Sequence, residues 1–202
     1  MANVNAPFGF RPVGELGSNI QNGGTSKYEI ADNYGTAIYK GDIVQMAAGY
    51  VTVGTATSTD NLGIFNGCFY QDPTTQKPTW SNYYPGNVNI TQGTIDAYVY
   101  DDPNKLFEVQ MGGTATLAKA DIGDNIDSVY TAGDSINGQS KATLATAVTG
   151  GAATAQFRVV RISEDPENSD RASAYANYIV RFNEHLYYNR ATGAETYRRN
   201  GT

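Results

Sequence analysis

Hydrophobic positions along this chain recur with a period of two far more often than with the three-to-four spacing of a helix. Residues 43–46 place Ile43 and Gln45 on one face and Val44 and Met46 on the other. Ala47-Ala48-Gly49 then turns the chain into Tyr50-Val51-Thr52-Val53, which predicts a hairpin over 43–53. Residues 62–70 predict a further short strand with glycines for close backbone approach. Thr94-Ile95-Asp96-Ala97-Tyr98-Val99-Tyr100 alternates cleanly, and 106–111 repeats the pattern after the turn residues Asp101-Asp102-Pro103-Asn104. Together these predict a half-buried antiparallel hairpin. Residues 155–162 and 177–183 predict two more strands, separated by a polar loop. Residues 116–120 predict a single helical turn capped by Thr116 and ended by Gly123. Residues 121–150, rich in Gly, Ser, Thr and Ala, read mostly as turns.

No run supports a helix of a dozen residues. Short strands punctuated by 22 glycines predict an all-β chain, a small antiparallel β-barrel or sandwich of β-tulip-like or jelly-roll-like type, with long loops. Gly41-Asp42, Gly123-Asp124 and Gly133-Asp134 read as punctuation before strands and not as a repeat. Three divisions are expected. Residues 1–27 form an extended N-terminal arm, because Pro7, Pro12 and five glycines loosen it while Phe8 and Phe10 give it something to dock on a neighbour, with packing on its own domain as the alternative. Residues 28–186 form the β-rich domain, and 187–202 a tail carrying Tyr187, Tyr188, Arg198 and Arg199. Within the domain, residues 71–87 lose periodicity. Prolines 73, 78 and 85 with Trp80, Tyr83 and Tyr84 predict an aromatic contact loop, with a sugar-stacking platform as the alternative.

Composition sharpens this picture. The net charge is −6 and only 17% of residues are charged. A sparse, acidic set does not neutralise phosphates, so no nucleic-acid partner is expected. Fifteen tyrosines suit protein contacts, where a ring buries area and its hydroxyl stays satisfied, or serve simply as strand formers. No stretch reaches the apolar length of a membrane span and the N-terminus lacks a secretion-signal pattern, so no membrane partner is expected.

Candidate chemistry is thin. Cys68 is the sole cysteine and lies in an apolar run, which reads as a small buried hydrophobe. His185 is the sole histidine, so a metal site of two or more histidines is excluded and a strand-end structural role is expected. Asp121, Asp124 and Asp127 lack the calcium-loop spacing of an EF-hand, and no phosphate-cradling glycine motif occurs. No serine sits in a nucleophile-elbow context. The expectation is no catalytic site, no metal and no cofactor.

The opening Met1-Ala2-Asn3-Val4-Asn5-Ala6-Pro7-Phe8-Gly9-Phe10-Arg11-Pro12-Val13-Gly14 resembles the start of virion structural proteins of tailed double-stranded-DNA bacteriophages. The segment Lys40-Gly41-Asp42-Ile43-Val44, followed by Gly49-Tyr50-Val51 and Leu62-Gly63-Ile64-Phe65-Asn66-Gly67, is similar to the pattern of head decoration (cement) proteins. The resemblance implies a structural protein made in the host cytoplasm and carried on the capsid exterior. It implies binding to the major capsid protein and to copies of itself, commonly as a homotrimer. The chain is longer than the simplest members, and it lacks the long spine helix of a major capsid protein. The alternative is another virion component, such as a head–tail or tail part or a receptor-binding module that stacks glycans. The expected protein-contact residues are Phe8, Phe10, Trp80, Tyr83, Tyr84, Tyr187, Tyr188, Arg198 and Arg199, and the glycan-binding alternative stacks sugars on Trp80, Tyr83 and Tyr84.

Overall fold

Alternation of apolar and polar residues produces fourteen strands in the computed structural model, which describes residues 3–17, 24–55, 58, 60–151 and 155–187. In chain order they are β1 (Arg11–Glu15), β2 (Ser26–Ile30), β3 (Ile38–Tyr39), β4 (Ile43–Ala47), β5 (Tyr50–Val53), β6 (Asn61–Gln71) and β7 (Pro78–Ser81). They continue with β8 (Tyr83–Tyr84), β9 (Ile95–Tyr100), β10 (Lys105–Gln110), β11 (Asn125–Val129), β12 (Thr143–Val148), β13 (Phe157–Ile162) and β14 (Asn177–Phe182). The first sheet runs β1-β10-β14-β13-β11-β12, and the second runs β2-β9-β6-β4-β5 with β7 added to β6. A short β3-β8 ribbon stands apart. All strand pairs are antiparallel. The chain is therefore all-β, and its two open sheets follow the sandwich-like form of the expectation, since neither closes into a barrel.

Each sheet has its own core. Phe107, Val109, Tyr178, Val180, Phe157 and Val159 alternate inward from the first sheet and are joined by Ile43 and Ile64 of the second. The other core gathers Val44, Leu62, Phe65 and Val99 beneath Ile38 and Tyr84 of the ribbon. Gln156 ties the two sheets. Its Nε2 donates to the Thr55 carbonyl at 2.8 Å and to Asn61 Oδ1 at 3.1 Å, and its Oε1 accepts the Ser128 N–H at 3.2 Å. Gln156, Asn61 and Ser128 are buried, where a satisfied network holds one arrangement and a broken one is penalised.

Several expectations are met at strand level. The 43–53 hairpin forms, with Val44 opposite Val53 and Ala47 opposite Tyr50. The alternation in 95–100 is reproduced as buried Ile95, Ala97 and Val99 against half-exposed Asp96, Tyr98 and Tyr100. The strands expected over 155–162 and 177–183 form as β13 and β14.

Other expectations are corrected. Strands β9 and β10 do not form a hairpin: β9 pairs with β2 and β6, β10 with β1 and β14, so residues 101–104 carry the chain from one sheet to the other. Residues 121–150 are turn and coil over most of their length, but they also supply two strands that were not expected, β11 and β12. The helical turn is a 3-10 turn at Lys119–Asp121. Residues 71–87 are not structureless either, since β7 and β8 lie within them.

The N-terminal segment takes the alternative course and packs on its own domain. It is not an extended arm: β1 pairs with β10, and Phe10 is buried against Phe157 with ring centroids 4.5 Å apart. Gly9 has φ +73°, and a Cβ there would sit 2.5 Å from the Ser140 Cβ and 2.8 Å from the Gly41 carbonyl oxygen. Only glycine fits where this backbone crosses two others. The Phe10 N–H then donates to the Gly41 carbonyl at 3.0 Å and Gln139 Nε2 donates to the Phe8 carbonyl. Upstream, Asn3 and Val4 bond to the 168–174 loop. Edge strand β1 also carries Pro12 and a register shift between Pro12 and Gly14, both of which blunt pairing with a further strand. Strand addition through this segment is thus disfavoured.

Candidate functional site

Sorting the aromatic and titratable side chains by what they touch separates core from surface. Of the expected contact residues, Phe10 and Tyr84 are buried, so neither offers a surface. Tyr84 donates its hydroxyl to the Tyr34 carbonyl at 2.9 Å and accepts the Val88 N–H at 3.3 Å, which makes it the satisfied centre of the second core. Phe8 is half-buried beneath the Arg11 guanidinium, 4.8 Å from its ring centroid. Tyr83 stacks on Tyr39 with an interplanar angle of 5°. Tyr187 is exposed, its hydroxyl 3.1 Å from that of Tyr28, which in turn donates to Asp101. Tyr188, Arg198 and Arg199 lie outside the described residues. Trp80 is 51% exposed. The structure does not bring it together with Tyr83 and Tyr84. Its neighbours are Tyr98, at 5.1 Å between centroids, and Phe69, directly opposite on β6.

Two surface features escaped the sequence reading. One is this cluster of Trp80, Phe69 and Tyr98 on the solvent face of the second sheet. Trp80 was expected at a contact surface, whereas the signal for Phe69 is that it alternates with Cys68 and Tyr70 on β6, both of which are buried. The other is Ile136, which is 95% exposed. Its signal was an isoleucine inside turn residues, Asp134-Ser135-Ile136-Asn137-Gly138, where polar residues are the norm. The turn is tightly fixed. Asp134 Oδ1 accepts the Ile136 N–H at 2.9 Å, and the Asp134 carbonyl accepts the Gly138 N–H at 2.7 Å. Asn82 Nδ2 reaches the Asn137 carbonyl at 2.7 Å.

The sole cysteine and the sole histidine are both buried. Cys68 is fully buried, its thiol pushed up to about 12 by desolvation, whereas a reactive cysteine needs an exposed thiolate. His185 is buried at the end of β14, with its ring edge-on to Phe182 at 5.2 Å and Nδ1 accepting the Tyr187 N–H at 3.2 Å. Burial holds its pKa below the usual histidine value, against the opposing pull of the Leu62 carbonyl and of Asp101 and Asp102. It faces a phenyl ring and backbone, not a nucleophile.

Asp121 and Asp127 are occupied in holding the backbone, accepting the Ala118 and Gln156 N–H groups. Among the described residues no three His, Cys, Asp or Glu side chains converge as metal ligands, and no helix is long and apolar enough to cross a membrane. Shallow hollows among the described residues include one of about 370 Å³ beside Phe69 and one of about 420 Å³ between Arg11 and Pro166. The second is floored by Glu108, which is paired with Arg11. What the surface offers is an apolar knob and an aromatic sheet face. No family model, characterised protein or solved structure matches the chain.

Proposed function

We propose that this chain is a non-enzymatic structural subunit that binds the outer surface of a tailed-phage capsid and stabilises the shell as a decoration (cement) protein. The partner surface is the major capsid protein, with further copies of this chain completing a homotrimer. Neither nucleic acid nor membrane takes part. The phage assignment rests on the resemblance of the first fourteen residues and of the Gly41-Asp42 region to that class. The adhesive role rests on Ile136.

A β-branched aliphatic side chain left 95% exposed is placed against the hydrophobic effect. Holding it there on a turn braced by Asp134, Gly138 and Asn82 removes the flexibility that would otherwise be lost on binding. A rigid apolar knob of this kind is suited to a pocket on a partner, where a few buried anchors carry most of the affinity. The acidic balance, −6, fits a surface that faces away from packaged DNA.

Purified protein should bind decoration-stripped capsids and raise their heat resistance. Ile136→Ser should weaken that binding at least tenfold while leaving the melting temperature of the free protein unchanged, because the side chain touches little of its own fold. Wild-type protein that neither binds such particles nor protects them overturns the proposal. Co-sedimentation of variant and wild type at equal concentration makes the comparison.

A further inference from the structure

We infer that the solvent face of the second sheet, around Trp80 and Phe69, is a binding platform for a neutral oligosaccharide. The register places three ranks of side chains side by side. Trp80, Phe69, Asp96 and Glu29 lie across β7, β6, β9 and β2 in one rank. Gly67, Tyr98 and Lys27 form the rank on one side, and Pro78 and Gln71 the rank on the other. Beside Phe69 the shallow hollow of about 370 Å³ is bordered by Gln92, Gly93 and Thr94. That volume lies at the small end of ligand sites, which run from roughly 300 to 1,000 Å³.

Three observations choose the ligand. First, the apolar groups on these ranks are rings and a proline, with no Leu, Ile, Val or Met. Flat rings match the C–H faces of pyranose sugars, whereas a protein anchor is received by aliphatic and aromatic side chains lining a pocket. Second, the rings alternate with groups that bind hydroxyls. Asp96 is fixed by Lys27 Nζ on Oδ2 and by Thr94 Oγ1 on Oδ1, both at 2.8 Å. A carboxylate has about four lone-pair sites, so a held Asp96 still accepts from vicinal hydroxyls. Third, Lys27 is the sole cation on these ranks and is already bound to Asp96. An acidic sugar would meet Asp96 and Glu29 without a spare positive charge, so the ligand is neutral.

The platform is pre-set. A Cβ on Gly67 would fall 2.6 Å from Trp80 Cζ2, so the indole occupies the space that glycine leaves, against Tyr98, and half of it remains in water. Phe69, 39% exposed, continues the apolar surface beside it. A ring already held in place loses little freedom when a sugar stacks on it.

Trp80 is the only tryptophan, so its fluorescence reports the site directly. The probes are neutral hexasaccharides of β-1,4-glucose, β-1,3-glucose, β-1,4-mannose and α-1,4-glucose, titrated into the full-length protein. At least one should shift or quench the emission saturably. Phe69→Thr, a strand-compatible replacement, should raise the Kd at least tenfold with an unchanged melting curve. Trp80→Ala, followed by calorimetry, should abolish the heat of binding. An unchanged emission with all four sugars overturns the inference, as does binding that survives both substitutions. Loss of capsid binding in these variants without any sugar binding also overturns it, and identifies the face as a protein contact. Capsid binding by Ile136→Ser is read separately, so failure of one proposal is distinguishable from failure of the other.

Discussion

Phe10→Ala should lower the unfolding free energy by about 3–5 kcal/mol, the range for deleting a buried phenyl ring and leaving a cavity. The ring is 1% exposed, stacks on Phe157, and shares a core with Phe107 and Phe182. Nothing near it can collapse cheaply, because the backbone on either side is fixed. Gly9 is wedged against Ser140 and Gly41, and the Phe10 N–H is bonded to the Gly41 carbonyl. Gly9→Ala should be severe for a separate reason, since it combines a left-handed φ with a Cβ overlap onto backbone. Urea unfolding followed by circular dichroism measures both, and a fall in midpoint at constant m-value identifies a change in stability. An N-terminal arm docked on a neighbour predicts the reverse: either substitution would leave the isolated protein within about 0.5 kcal/mol of wild type, as surface changes usually do. That result would restore the arm and remove β1 from the fold.

The same segment explains what the sequence could and could not reveal. Alternation is a local property, so β9, β13 and β14 were legible from apolar residues two apart. Partner choice is not local. Asp101-Asp102-Pro103-Asn104 has the chemistry of a hairpin turn, yet Lys105 opens a strand that pairs with β1 and β14. The reason lies far away in sequence, in Phe107 and Val109 packing with Phe157 and Phe182. Strand β11 was hidden because its buried positions include Asn125 and Ser128. Polar residues read as surface unless their partners are known. Here the partners are Gln156, which receives Ser128, and Arg158, whose Nε donates to Asn125 Oδ1 at 2.9 Å. Glycine and proline at residues 7–14 look like loosening when read one at a time, but Gly9 is there for close backbone crossing and not for freedom.

The candidate surface was half legible for a related reason. Aromatic count alone does not separate a ring whose hydroxyl is satisfied inside, as in Tyr84, from one lying over a glycine, as in Trp80. Pro78 obscured the matter further. A proline inside a run argues against a strand, but on the outer strand β7 its missing N–H is tolerated. Once β7 is placed, Trp80 must face the same side as Phe69, and the aromatic face follows from period two. Tyr83 and Tyr84 then fall in the β3-β8 ribbon that caps the second core.

Asp42→Asn should stabilise the protein above pH 7 and leave it nearly unchanged at pH 4. Asp42 is fully buried where the Gly41-Asp42 turn enters β4. Its Oδ2 accepts the Tyr39 N–H at 2.8 Å while its own N–H donates to the Tyr39 carbonyl at 2.9 Å, a reciprocal clamp on the turn. Oδ1 makes no well-formed hydrogen bond; the Ser140 hydroxyl eases the charge without satisfying that atom.

Burial dominates, and the carboxyl is pushed up to about 6 from its ordinary 3.8. A carboxyl whose folded pKa lies above its unfolded one favours the native state less as it ionises. Below about pH 4 both states carry the proton and there is no effect. Between about 4 and 6 the penalty grows, and above that range it is complete at about 3 kcal/mol, from 1.36 kcal/mol per unit. Asparagine keeps the acceptor for Tyr39 without the charge, so the gain at pH 8 should approach but not exceed that figure.

Other groups act in the opposite sense. Asp72 and Asp170 are held below the usual range by the Thr75 N–H and the Ser173 hydroxyl respectively, and buried His185 resists protonation, so all three favour folding at neutral over acid pH. The diagnostic quantity is therefore the difference between the wild-type and variant melting curves at each pH, in which those groups cancel. A difference that opens between pH 4 and 6 and then stays level assigns the titration to Asp42. Parallel curves across the whole range would mean that the turn clamp carries no buried charge.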